Sequence, residues 1–142
     1  MAQFNKINDF VEYAVEGMNL GSDTLKVTLS NTAPASETTP PTGDGDGVLA
    51  NVTQVSNIGN VSNVTLSGVT SSQTGGTYKL SATDKVLSAT GTVGPFQYIY
   101  IYDDTVAGDP LIGYYNYGSA ITLQNGDSFT IDFGVNGILT LT

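Results

Sequence analysis

Phe96-Gln97-Tyr98-Ile99-Tyr100-Ile101-Tyr102 is the longest run of unbroken β character in the chain. Read with period two, it sets Phe96, Tyr98, Tyr100 and Tyr102 on one face and Gln97, Ile99 and Ile101 on the other. Both faces require cover. Such a strand belongs in the middle of a packed sheet or at a contact with another subunit. Gly94-Pro95 is expected to stop the chain before it, and Asp103-Asp104 to begin a turn after it.

Downstream, strands are expected over residues 110–117, 120–124, 128–133 and 138–141. Asn125-Gly126 and Asn136-Gly137 serve as tight turns, so the last third reads as an antiparallel meander. Upstream, residues 64–69, 77–82 and 86–92 read as strands, separated by Thr74-Gly75-Gly76 and Thr83-Asp84. Residues 24–30 alternate, with Leu25, Val27 and Leu29 facing the core and Lys26 and Thr28 facing away. Phe4, Ile7, Val11, Ala14 and Met18 recur at helical spacing, which predicts a helix over residues 4–18. Phe10 and Tyr13 fall off that stripe and call for a second cover, from the sheet or from a partner. Residues 31–47, with Pro34, Pro40, Pro41 and Gly43-Asp44-Gly45-Asp46-Gly47, read as a long exposed loop. Between Leu49 and Val64 the apolar residues fall at steps of three, which fits neither strand nor α-helix. A short helical turn near residues 50–55 and an irregular connection through Asn57, Gly59 and Asn60 are the expectation. The pattern specifies one mainly β domain over residues 1–142, an antiparallel β-sandwich or jelly-roll-like fold with one N-terminal α-helix.

The chain of 142 residues is long enough for one buried core. Only 12% of residues are charged and the formal net charge is -9. The basic residues are Lys6, Lys26, Lys79 and Lys85, scattered and without arginine, which argues against nucleic acid and anionic membrane as partners. Cysteine and histidine are absent, and with them disulfides, thiolate metal sites and Ser-His nucleophile pairs. The first residues lack a basic segment followed by an apolar one, so the expectation is a chain that folds where it is made.

Three groups of side chains invite a site. Asp44 and Asp46 in Asp-Gly-Asp-Gly resemble part of a calcium loop, but Thr42 and Thr53 stand where acidic ligands belong, and a plain acidic loop is favoured. Asp103, Asp104 and Asp109 offer carboxylates for a cation or for acid and base, yet Asp-Asp-Thr and Gly-Asp-Pro are ordinary turn formers. Lys79 and Lys85 are candidates for isopeptide crosslinks, with no spacing that demands them. The triplets beginning at Asn51, Asn60 and Asn63 fit the glycosylation acceptor pattern, discounted because an Asn-, Ser- and Thr-rich chain generates it by chance. The tyrosines 98, 100, 102, 114, 115 and 117 are the densest unusual feature, fit for a core, an interface or a sugar-stacking platform. With Phe96 to Tyr102 read as a central strand, the candidate interface residues are Phe4, Phe10, Tyr13, Tyr114, Tyr115 and Tyr117. No catalytic, metal or cofactor residue is assigned, and no enzyme activity is expected.

The segments Phe4-Asn5-Lys6, residues 23–34, Thr77-Tyr78-Lys79-Leu80, Gly94-Pro95-Phe96, Pro110-Leu111-Ile112-Gly113 and residues 126–133 together resemble a family of tailed-bacteriophage virion proteins of capsid-decoration type. The resemblance spans most of the chain outside residues 35–47 and 56–63. It implies a decoration or cement protein that binds the outside of the major capsid lattice and bridges its subunits. It further implies a homo-oligomer, a trimer by preference, with the major capsid protein as partner, located on the capsid exterior after assembly in the host cytoplasm. Placement in a tail or fibre, and a carbohydrate- or receptor-binding module, are the alternatives.

Overall fold

The computed structural model describes residues 2–142. In chain order these form β1 (Phe4–Lys6), α1 (Phe10–Glu16), β2 (Leu25–Ser30), β3 (Thr70–Thr74), β4 (Thr77–Ser81), β5 (Lys85–Ser88), β6 (Val93–Asp103), β7 (Leu111–Leu123), β8 (Ser128–Ile131) and β9 (Leu139–Leu141). Short 3-10 turns stand at Pro34–Ser36, Leu49–Asn51 and Ile58–Asn60. All strand pairs are antiparallel, in sheets ordered β1-β7-β6-β2, β3-β4-β9 and β5-β8. The fold is thus mainly β, an antiparallel sandwich with one helix near its N-terminus.

The aromatic run lies in β6, between β7 and β2, with Ile99, Tyr100 and Ile101 fully buried. Both faces are covered, as their apolar character requires. Gly94-Pro95 lies inside β6 instead of ending the chain before it. Simple alternation also fails at one end. Phe96 pairs with Ile121 and Tyr98 with Asn116, so a short step on β6 matches a longer one on β7. Such a bulge re-aims side chains. Phe96 meets Phe129 edge-on at 5.6 Å, whereas Tyr98 and Tyr100 meet Tyr114 at 6.4 and 5.3 Å.

The helix expected over residues 4–18 is shorter, because Phe4–Lys6 forms β1 against β7. Gly113 makes this possible. The Phe4 ring lies where a Cβ on Gly113 would stand, and that Cβ would also come within 2.6 Å of the Asn5 carbonyl. A tertiary ladder here overrides helical spacing. Val11, placed on the buried stripe by its spacing, is 44% exposed, while Phe10 is fully buried.

Residues 31–47 are more structured than an exposed loop. Pro34, Glu37 and Pro41 are buried, and the Asp9 carboxylate accepts the Gly45 and Gly47 N–H groups at 3.0 and 2.8 Å. Residues 49–64 contain two 3-10 turns, whose three residues per turn match the three-residue apolar period. The same segment shields the outer edge of β2. Val55 N–H donates to the Leu29 carbonyl, Val27 N–H to Val64, and Leu66 N–H to Leu25, each at 2.9 Å. That shield buries Thr28 and Ser30 along with Leu25, Val27 and Leu29, so β2 is not half-exposed as its alternation suggested.

The expected meander is replaced by crossed pairing. β8 pairs with β5 and β9 with β4, and residues 110–117 and 120–124 merge into the single strand β7. Residues 64–69 form only an isolated bridge at Thr65, and the regular strand begins at Thr70. The Asn125-Gly126 turn closes on itself through the Asp127 N–H and the Gln124 carbonyl at 2.9 Å, and is also bonded from outside. Ala89 donates to the Asp127 carbonyl and accepts from the Gly126 N–H, both at 2.9 Å, which draws β8 to β5.

Candidate functional site

The tyrosines divide between two neighbourhoods. On one side Phe4, Tyr115, Tyr117, Phe129 and Phe96 form a continuous chain of ring contacts, joined by Phe133 against Tyr115. Burial pushes the Tyr115 hydroxyl far above its ordinary range and that of Tyr117 up to about 12. On the other side Tyr98, Tyr100 and Tyr114 cluster, with Ser30 and Thr28 as the β2 register partners of Tyr98 and Tyr100.

Of the candidate contact residues, the structure therefore gathers Phe4, Tyr115 and Tyr117, and sends Tyr114 to the other cluster. Phe10 is fully buried and Tyr115 is 4% exposed, so their rings serve the core and are not open to a partner. Phe4, Tyr13, Tyr114 and Tyr117 are half-buried. Tyr98, Tyr100, Tyr102 and Tyr115 are all at most 8% exposed. They offer no platform for stacking a sugar.

Buried polar groups concentrate around the tyrosine cluster. Thr28 donates its hydroxyl to Gln54, and Ser30 donates its hydroxyl to the Thr53 carbonyl at 2.7 Å. The Thr53 N–H in turn donates to one oxygen of the Glu37 carboxylate. The other Glu37 oxygen and the Tyr100 hydroxyl lack a protein partner. Burial raises the Tyr100 hydroxyl well above its ordinary range, and the negative Glu37 adds to the effect.

The carboxylates mostly hold backbone. Asp9, Asp23, Asp84, Asp103, Asp127 and Asp132 each accept at least one main-chain N–H. Asp103 is closed from solvent and accepts the Thr105 and Val106 N–H groups at 2.9 and 3.2 Å. Its carboxyl is raised to about 6, chiefly by burial and then by the neighbouring Asp23 carboxyl. Asp104 pairs with Lys26 at 3.0 Å. Asp103 thus holds the turn after β6, and Asp104 is tied to β2 through Lys26. Among the described residues no group of three acidic side chains is arranged to hold a metal ion. Lys79 donates to the Val135 carbonyl at 2.8 Å.

Sequence reasoning missed the role of three asparagines. Asn57 donates to the Gly94 carbonyl at 3.1 Å and accepts the Gly94 N–H at 3.0 Å. Asn60 donates its amide to the Thr92 carbonyl at 2.8 Å. Asn63 donates to the Val86 carbonyl and accepts the Ser88 N–H at 3.1 Å. Each side-chain amide stands in for a peptide group of a neighbouring strand. Their recurrence at steps of three, in phase with Ile58, Val61 and Val64, is the signal that identifies them.

The surface clefts are shallow. One holds about 710 Å3 between β1 and residues 136–142, and an apolar groove of about 280 Å3 runs along Ala14, Val15 and Met18 against Tyr78 and Leu141. Neither contains a nucleophile-base pair or a cluster of carboxylates. No family model, curated protein or solved structure matches the chain.

Proposed function

We propose that this chain is a virion structural protein of the capsid-decoration type, which binds the outer surface of a phage capsid lattice and bridges its subunits. One observation carries the reading: the segments that resemble the decoration family meet in space as the framework of the fold. Phe4-Asn5-Lys6 pairs with the Gly113 end of Pro110-Leu111-Ile112-Gly113 through β1 and β7. Phe96, from Gly94-Pro95-Phe96, packs on Phe129 of residues 126–133. A scaffold assembled from these segments, with its carboxylates used as backbone anchors, suits assembly by additive contact better than turnover of a substrate. The partner is the major capsid protein, the working state a homo-oligomer, preferably a trimer, and the location the capsid exterior after assembly in the host cytoplasm.

Cryo-electron microscopy of the particle that carries this chain tests the reading. Density for the sandwich repeated over the outer capsid surface is the expected result. Density confined to the tail or fibres replaces the decoration role with a tail component. Binding of the purified protein to polysaccharide but not to capsids assigns it to receptor recognition.

A further inference from the structure

Asp103 ends β6 with a side chain fully closed from solvent. Its Oδ1 accepts the Thr105 and Val106 N–H groups, while its Oδ2 meets no donor among the described residues. The side chain that comes within hydrogen-bonding reach of it is a second carboxyl group, that of Asp23. Two carboxylates so placed repel when both are charged and bind when one proton lies between them.

Asp23 belongs to a turn that closes on itself. The Ser22 and Asp23 N–H groups donate to the Asn19 carbonyl at 3.0 and 2.8 Å, and the Asp23 carboxylate accepts the Asn19 N–H at 2.9 Å. Besides the carboxyl pair, two bonds of Thr24 tie this turn to the end of β6. The Thr24 N–H donates to the Thr105 hydroxyl at 2.8 Å, and its carbonyl accepts the Asp104 N–H at 2.9 Å. Both Thr24 and Thr105 are exposed, so these bonds compete with water. The other charged groups at this corner act on one another: Lys26 of β2 pairs with Asp104, and Asp109 across the turn and Tyr102 on β6 bear on Lys26. Residues 47–49, which bond Asp109 and Leu111, and residues 64–66, which bond β2, contain no titratable side chain.

We infer that Asp23 and Asp103 form a proton-operated latch: one shared proton holds the turn of residues 19–23 on the end of β6, and its loss as pH rises releases that turn. The proton passes to water and leaves a buried charge beside a like charge, so separation of the two carboxylates, with hydration of both, becomes favourable. Burial and the Asp23 carboxyl raise Asp103 to about 6, so the latch is fastened below that pH and loosens above it. Release moves Asn19 and Leu20, which line one end of the apolar groove along α1, and thereby couples the shape of that groove to pH. The latch stands independently of the decoration role.

The test is amide hydrogen exchange of the full-length, isotope-labelled protein by NMR between about pH 5 and 7, with each rate divided by the intrinsic rate at that pH. Opening returns Asp103 to the ordinary carboxylate range, so protection of the Thr24 and Asp104 amides falls by about tenfold over this interval. At pH 7 the Ile101 amide, inside β6, stays better protected than either. Asp23→Asn supplies an amide donor in place of the proton: the Asp103 carboxyl, followed by its 13C signal, then titrates at lower pH, and the fall in Thr24 protection disappears. Three results overturn the proposal: constant protection at Thr24 and Asp104 between pH 5 and 7, equal protection of Thr24 and Ile101, which means opening only by global unfolding, or an Asp103 titration unmoved in Asp23→Asn. The first two need only the unsubstituted protein and decide the matter even if Asp23→Asn fails to fold.

Discussion

The two aromatic clusters beside β6 and β7 are completed in opposite ways. The cluster of Phe4, Tyr115, Tyr117, Phe129 and Phe96 is completed by β8 and Phe133, with ring against ring. The cluster of Tyr98, Tyr100 and Tyr114 adjoins residues 37–54, irregular chain in which the Gln54 side chain and the Thr53 carbonyl accept the Thr28 and Ser30 hydroxyls and the Glu37 carboxylate accepts the Thr53 N–H. The first holds mainly by area and shape. The second holds by directed bonds, and two of its polar atoms, on Glu37 and Tyr100, remain without a protein partner. One sheet can thus be buried on both sides while only one side is packed in the manner of a hydrocarbon core.

The comparison breaks first at the ring cluster. Phe96→Ala removes a fully buried ring and its edge contact with Phe129, and is expected to cost about 3–5 kcal/mol in chemical denaturation. A loss comparable to that of a surface substitution would show that this cluster is not the stabilising one.

The next test concerns the carboxylate anchor that is closed from solvent. The Asp103 carboxyl, raised to about 6, is protonated in the folded state at pH values where the unfolded chain has already released its proton. Its contribution is fully present below about pH 4 and is lost as pH rises through about 6. Asp103→Asn keeps an acceptor for Thr105 and Val106 and removes the charge. It should flatten the pH profile of stability and make the protein more stable than the unsubstituted one at pH 7. Equal slopes between pH 4 and 7 would refute this assignment.

Asn57→Ala leaves both the Gly94 N–H and carbonyl without their side-chain partner, and is expected to cost about 1–3 kcal/mol by thermal unfolding. The smallest effect belongs to the tyrosine cluster. Tyr100→Phe deletes a hydroxyl that has no protein partner, so stability should change by less than about 1 kcal/mol, with a gain favoured. A larger loss would reveal a bond made by that hydroxyl and would bring the two clusters closer in character.

Period two made β2, β4 and β6 legible, because each buries at least one face and alternation follows from the pleat. It failed where distant residues decided the outcome. Phe4 has helical spacing to Ile7 and Val11, yet the space left by Gly113 makes it a strand residue. Asn125-Gly126 looks like a hairpin turn, but Ala89 binds that turn and joins β8 to β5. Of the residues nominated for contact, Phe4 lies in β1 beside the cleft and not on the helix that its spacing predicts. Phe10 stands out by falling off the helical stripe and Tyr115 by its aromatic character, and neither signal distinguishes core from surface.

The asparagine clamps have a consequence for the conditions the fold withstands. Asn57, Asn60 and Asn63 secure residues 86–94 with amides, which neither gain nor lose protons and carry no net charge for salt to screen. Ion pairing contributes little beside them, with Lys26–Asp104 on the surface. Wide swings of ionic strength should therefore leave this part of the protein fastened, and agents that compete for peptide hydrogen bonds, such as urea, should loosen it first.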